Sequence, residues 1–419
     1  MEGAKEGTGN IYEKAGHILK QVEKGKGKTL NVCLKTKMLR KDKALLKCVY
    51  GIVQETLKHS KTISEVLDKT KIHAQEETDI DVLRTALSDF LYKKRLRCAG
   101  PLKEKITLHK EELRKAFREA SSSDQTVSSL PTYLRVNTLR TTRKEAIARL
   151  QESGYCFIDT GDETGQAAQK NRNKKTFYID KDIPNLLVFP SRVDLSENEL
   201  YKTGHLVFQQ KSSCFPALAL GVSGKATVID ACAAPGNKTS HIAAMMENKG
   251  RIFAVEKDKN RAKLLKKMMA VAGVQNTVVC ETDFLSLSPS EQPYKDAKYI
   301  LLDPSCSGSG MKGGLLLKKK QTQISNMAAT QKKLLLHALS FPSAEKIVYS
   351  TCSVNEEENE EVVRAVLRER KDFALARALP LWHRRGLKKY SFADLVCRAD
   401  SDEDRTTGFF VAVFEKRNR

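Results

Sequence analysis

Two cysteines stand in matching surroundings. Cys306 lies in Asp303-Pro304-Ser305-Cys306-Ser307-Gly308-Ser309-Gly310, directly after the apolar run AKYILLD, and Cys352 lies in Ser350-Thr351-Cys352-Ser353, at the end of EKIVYST. Both runs read as β-strands, so each thiol sits at a strand end in a polar turn, where the usual role of cysteine as a small core hydrophobe is weakened. Such a pair suits methylation of a pyrimidine at C5, a carbon that is a poor nucleophile. A thiolate adding to C6 turns the ring into an enamine whose C5 can attack a sulfonium methyl; the C5 proton is then removed and the thiolate expelled. Asp303, protonated or bridging, is placed to offset charge near ring nitrogen N3. Addition also requires an unstacked base, which favours flexible or single-stranded nucleic acid.

A methyl donor needs its own site, and Thr227–Lys238, TVIDACAAPGNK, has the form of one. A β-branched run closes at Asp230, and a turn of small residues leads into the helical pattern TSHIAAMME. Small side chains admit a ligand close to the backbone, and the helix N-terminus offers free N–H groups. The dinucleotide fingerprint G-x-G-x-x-G is absent, which argues against an NAD-linked oxidoreductase; Ala-Pro-Gly fits a ligand without a pyrophosphate, such as S-adenosylmethionine. Polar tips follow in register. Asn237 and Lys238 open the helix, Glu256 closes the second strand with an acceptor for ribose hydroxyls, and Asp283 closes the third with one for the adenine amino group.

The elements that must position these residues follow from periodicity. From Lys225 on, strands (ATVIDA, GRIFAVEKD, NTVVCETD, AKYILLD, EKIVYST, GFFVAVFEK) alternate with helical patterns. This predicts a Rossmann-like α/β domain over 221–419, with a mostly parallel sheet covered on both faces. The last strand follows no long helix and can pair antiparallel. Residues 131–220 read as a small α+β module: strands at TYLRVNT, CFIDT and FYI, and a helix at TTRKEAIARLQESG capped by Thr141 or Thr142. A polar insert, DETGQAAQKNRNKK, interrupts it. Residues 1–125 show helical spacing and crowded lysines, including Lys24, Lys26 and Lys28, and a Ser-rich linker spans Ala120–Pro131. The lysine-tipped loop Met311–Gln321 is either an RNA clamp or a plain surface loop. The acidic stretch Glu356–Glu361 reads as the solvated first turn of a helix.

A net charge of +22 and a calculated pI near 9.5 favour a polyanionic partner, nucleic acid above all. No apolar run reaches a membrane-spanning length, and the first ten residues lack the apolar core of a signal peptide. The ten cysteines are scattered without C-x-x-C spacing, which argues against a metal site and a disulfide scaffold and for a reducing compartment.

At IDACAAPGNKT, LLDPSCSGSG and YSTCSVNEEENEEVV the chain resembles the Sun-domain RNA cytosine-C5 methyltransferases, and PTYLRVNTLR and GHLVFQQKSS resemble segments preceding that family's catalytic domain. The likeness runs from Pro131 to Lys416 and is greatest to the branch acting on large-subunit (28S or 25S) ribosomal RNA. It implies a class I methyltransferase fold with S-adenosylmethionine as cofactor. It also implies Cys352 as nucleophile, Cys306 in product release, and cofactor contacts from Cys232, Ala233, Ala234, Pro235, Gly236, Asn237, Lys238, Glu256, Arg261, Asp283 and Asp303. Asn237 and Ser305 depart from the family's common glycine and proline. By analogy with DNA cytosine methyltransferases Cys306 would attack instead; the Thr-Cys motif favours Cys352. The implied partner is ribosomal RNA or a pre-ribosome, met by a monomer in the nucleus or nucleolus. The competing expectation is a catalytically idle RNA-binding assembly factor.

Overall fold

The computed structural model describes residues 10–24, 29–75, 79–123, 130–159, 175–191, 193–311 and 321–417. Lys26, Lys28, most of the Ser-rich linker, the polar insert over 160–174 and the lysine-tipped loop over 312–320 therefore lie outside the described residues. The chain divides into two compact units, residues 1–128 and a second that begins at residue 129.

The first unit is helical. Its long helices, Ile11–Glu23, Lys43–Lys58, Ser60–Thr70, Ile80–Lys93 and Lys110–Ser123, each carry an apolar stripe. The stripes meet in a core of Ile18, Leu19, Ile52, Val53, Val66, Leu83 and Leu87. Gly16 lets the first helix approach Ile80–Lys93 closely: a Cβ there would lie 2.8 Å from the Val82 nitrogen. The Tyr12 hydroxyl donates to Asp89 Oδ2 at 3.1 Å and accepts from the Arg97 N–H at 2.8 Å, tying the chain after the fourth of these helices to the first.

The second unit contains two sheets. The smaller consists of β1 (Thr132–Val136), β2 (Cys156–Phe157), β3 (Thr176–Ile179), β4 (Leu186–Phe189) and β5 (Leu206–Phe208), in the order β2-β3-β4-β1-β5. Its helix, Arg143–Glu152, starts at a capping box in which the Thr142 hydroxyl accepts from the Glu145 N–H and the Glu145 carboxylate accepts from the Thr142 N–H.

The larger sheet contains β6 (Thr227–Asp230), β7 (Arg251–Val255), β8 (Thr277–Cys280), β9 (Tyr299–Leu302), β10 (Lys346–Thr351), β11 (Phe373–Ala376) and β13 (Phe409–Lys416). Their order is β11-β13-β10-β9-β6-β7-β8, and β12 (Cys397–Ala399) pairs with β13. The strands from β6 to β10 run parallel, whereas β13 is antiparallel to β10, β11 and β12. The sequence pattern predicts neither β11 nor β12. Both are short and lack a clear alternating pattern, and they join the sheet only because β13 offers an edge.

Alternate residues of each central strand serve opposite faces. Ile229, Leu302 and Tyr349 pack with Leu335 and Val363 on one side, while Val228, Leu301 and Val348 pack with Phe215 and Ile242 on the other. Burial on both faces explains why these strands read as continuous apolar runs. The order reverses at β6, whose neighbours are β7 and β9, and this switch point is where a ligand crevice opens beyond the strand ends.

Candidate active site

The loop after β6 is tied down on both sides: the Ala231 N–H donates to Leu301 O at 2.8 Å and the Ala233 N–H to Val255 O at 2.9 Å. The buried Asp230 carboxylate accepts from the Thr239 hydroxyl at 2.7 Å, fixing the first turn of the helix Asn237–Met245. Burial pushes the Asp230 carboxyl up to about 6, partly offset by that hydroxyl. Pro235 follows a cis peptide bond, and Gly236 caps the helix at φ 110°. The glycine is needed for the chain's own packing as much as for a ligand: a Cβ there would lie 2.6 Å from Met269 Cε and 2.8 Å from Leu265 Cδ1. Asn237 donates through Nδ2 to Phe208 O of β5 at 3.0 Å, so this residue joins the loop to the smaller sheet.

Lys238 turns toward β9. Its Nζ lies 2.7 Å from Asp303 Oδ2, and the Ser350 hydroxyl donates to Asp303 Oδ1 at 2.6 Å. Asp303 thus bridges Lys238 and Ser350, with each of its oxygens engaged as an acceptor. Burial opposes the Lys238 charge, but the adjacent Asp303 prevails and holds the ammonium above its ordinary range.

Cys306 and Cys352 meet with their sulfurs 3.1 Å apart. Neither is in a disulfide; all ten cysteines are free. The Cys306 hydrogen bond lowers the Cys352 thiol, burial and Asp303 oppose this, and the Lys238 ammonium lowers it further; the net direction is down. Cys306 moves the other way, raised by its bond to Cys352, by burial and by Asp303. Their mutual hydrogen bond is the largest cause of both shifts and favours Cys352 as the thiolate and Cys306 as the proton donor, with Lys238 adding to the difference.

A cavity of about 90 Å³ adjoins these groups, lined by Ser213, Asp230, Cys232, Ala233, Ala234, Pro235, Asn237, Lys238 and Asp303. Glu256 and Arg261 stand beside it as a pair. Arg261 Nη1 is 3.2 Å from Glu256 Oε2, and its Nη2 donates to Ala234 O at 2.6 Å, so the arginine links the end of β7 to the loop. Asp283 stands apart: it caps the turn after β8 through the Leu285 N–H at 3.0 Å and lies 3.9 Å from Lys257 Nζ, half exposed. A larger hollow of about 890 Å³, lined by Arg140, Glu247 and Gln275 among others, opens at the opposite ends of the strands and holds none of these groups.

The acidic stretch departs from its expected solvated state. Glu358, Asn359 and Glu360 are fully buried. Glu360 meets Arg398, and Glu358 accepts hydrogen bonds from the turns that carry the two cysteines. Hydropathy assigns a run of glutamates to water, so only the serines that follow each cysteine hinted at acceptors nearby. Beyond the sequence-derived residues, Ser350 orients Asp303 and Ser213 lines the cavity.

A parallel-rich sheet with a loop of small residues at its switch point and two thiols in contact at adjoining strand ends defines a Rossmann-like methyltransferase fold. Comparison with known proteins is specific. The 16S rRNA methyltransferase RsmB/F family matches residues 217–415, and the ferredoxin-like and N-terminal domains of NOL1/NOP2/Sun domain family member 5 match residues 130–209 and 47–122. The chain is 35% identical to a 28S rRNA (cytosine-C(5))-methyltransferase of Mus musculus, over 97% of its own length and 91% of that protein. It is likewise 35% identical to the 25S rRNA (cytosine-C(5))-methyltransferase rcm1 of Schizosaccharomyces pombe, over 96% of this chain and 90% of that one. A solved methyltransferase homolog from Pyrococcus horikoshii shares the fold at TM-score 0.57 and 24% identity, covering 84% of this chain and 99% of that one. The chain belongs to the NOL1/NOP2/Sun domain family of methyltransferases, in the branch of member 5.

Proposed function

We propose that this enzyme methylates C5 of a cytosine in large-subunit ribosomal RNA, with Cys352 as the attacking thiolate and S-adenosylmethionine as methyl donor. The observation that carries the reading is the 3.1 Å contact between Cys306 and Cys352 beside the Lys238–Asp303 pair. The backbone left open by Ala233 and Ala234, with Glu256 at the next strand end, fits the donor, whose adenosyl group needs close approach and whose ribose needs an acceptor. When bound, S-adenosylmethionine supplies the methyl group as an electrophilic sulfonium carbon.

The chain's own residues account for the rest. The Cys352 thiolate adds to C6 and the ring becomes nucleophilic at C5. Lys238, held by Asp303, places positive charge where negative charge builds during addition. Once C5 carries the methyl group, its remaining proton passes to a water molecule, the C–H pair forms the C5–C6 double bond, and the C6–S bond breaks with its pair going back to Cys352. Cys306, kept as a thiol, donates a hydrogen bond to the departing sulfur.

A net charge of +22 supports a polyanionic substrate, and the named relatives act on 28S and 25S ribosomal RNA. The same relatives support residence in the nucleus and nucleolus. Among the described residues no helix is long and apolar enough to cross a membrane. An idle assembly factor would have no use for two thiols in contact. The test is transfer of tritiated methyl from S-adenosylmethionine to large-subunit RNA, with bisulfite mapping in cells with and without the protein. One protected cytosine that depends on Cys352 is expected; label on ribose or on no cytosine would overturn the reading.

A further inference from the structure

Glu358 is a carboxylate wholly inside the protein, and its hydrogen-bond partners among the described residues are amide and hydroxyl groups with no basic side chain. A buried charge without a counter-ion is costly unless donors surround it. Here the donors come from the turns that hold the thiols. Glu358 Oε1 accepts from the Ser307 N–H at 2.8 Å and from Gln331 Nε2 at 3.1 Å. Its Oε2 accepts from the Ser353 hydroxyl at 2.6 Å and from Asn355 Nδ2 at 3.2 Å. Ser307 follows Cys306 and Ser353 follows Cys352, so one carboxylate grips the residue after each cysteine.

The same network reaches the carbonyl of the residue before Cys306 and that of the residue after Cys352. Gln331 Nε2 also donates to Ser305 O at 3.1 Å, and Asn359 Nδ2 donates to Ser353 O at 2.9 Å. The Ser307 hydroxyl donates to Ser353 Oγ at 3.1 Å, bridging the two turns directly. Although burial favours a neutral carboxyl, these donors together hold Glu358 below the usual carboxylate range.

We propose that Glu358 is a positioning residue for methyl transfer: by binding the serine after each cysteine, it sets the contact and the hydrogen bond between the two thiols. A carboxylate is required because all the side chains and the N–H aimed at it are donors. Glutamine has the same shape but would turn an NH₂ toward some of them. The proposal rests on Cys352 being the nucleophile, as proposed above.

The test compares the full-length wild-type protein with Glu358→Gln in two ways. Alkylation of Cys352 by iodoacetamide is followed across pH by peptide mass spectrometry, without RNA or cofactor, and kcat and KM are measured on large-subunit RNA. Expected are a Cys352 alkylation limb displaced to higher pH and a kcat lower by about tenfold or more, with KM for S-adenosylmethionine within about twofold. A variant that melts earlier yet keeps the wild-type alkylation profile and kcat would make Glu358 a structural anchor only, and would overturn the proposal. Should Glu358→Gln fail to fold, Ser353→Ala removes the hydroxyl that Glu358 grips after Cys352 while the Ser307 N–H contact persists, and an unchanged kcat and alkylation profile there overturns it equally. Absence of RNA methylation in the wild type, with the alkylation shift present, would defeat the proposed function and leave supported only that Glu358 sets the two thiols.

Discussion

Lys238 Nζ and Asp303 Oδ2 meet at 2.7 Å, joining the first turn of the helix after β6 to the end of β9. The pair couples the ligand loop to the thiols, because the ammonium it holds in place lowers the Cys352 thiol. Replacing Lys238 by Met keeps the stem and removes the charge. Cys352 alkylation should then rise only at higher pH, and methyl transfer should fall on the order of 10²-fold. An alkylation profile identical to wild type would show that Lys238 does not act on the thiol.

The two cysteines should fail differently. Cys352→Ala should abolish any RNA adduct that survives denaturing gels and lower turnover by roughly 10³-fold or more. Cys306→Ala should leave an adduct that resolves slowly. It also removes the hydrogen bond that is the largest influence lowering Cys352, so the acidic limb of adduct formation should move to higher pH. The reverse gel pattern would exchange the roles.

Asp230 should make the fold less stable as pH rises. Its carboxyl is raised to about 6 from an ordinary 3.8, so the folded state binds the proton more tightly than the unfolded chain. That contribution is fully present below 3.8 and is lost as pH climbs through about 6. Asp230→Asn keeps an acceptor for the Thr239 hydroxyl. It should raise Tm at pH 7.5 by an amount corresponding to about 1–3 kcal/mol and change little at pH 4. Thermal melts at both values decide it; an equal shift at each would remove titration as the cause.

Gly310 passes against Gly408 with no room for a side chain: a Cβ on Gly310 would lie 2.1 Å from Gly408 O. The Gly310 N–H donates to Cys352 O at 3.0 Å and its carbonyl accepts from the Gly408 N–H at 2.7 Å, so the Cys306 turn is pinned to the Cys352 turn and to the approach to β13. Gly310→Ala should destabilise the protein by about 1–3 kcal/mol, seen in urea unfolding, and lower kcat even where the protein remains folded. Wild-type values of both would mean that the turn yields without cost.

By itself the sequence determined the strands β6 to β10 and β13, and it placed the turn of small residues after β6 and the two cysteines at strand ends. Each is a local pattern: a β-branched run stops at Asp230, Leu302 or Thr351, and whatever polar residue follows must lie at a strand end. Only the tertiary structure decided which of those ends are neighbours. Cys306 and Cys352 meet because β9 and β10 lie side by side and parallel, a pairing between segments 46 residues apart that no local period records. The same holds for Lys238 with Asp303, and for β13 inserting antiparallel beside β10. Glu358 shows the limit most sharply. Its charge predicts water, and it is buried because donors from the neighbouring Cys352 turn and the distant Cys306 turn converge on it once the sheet has formed.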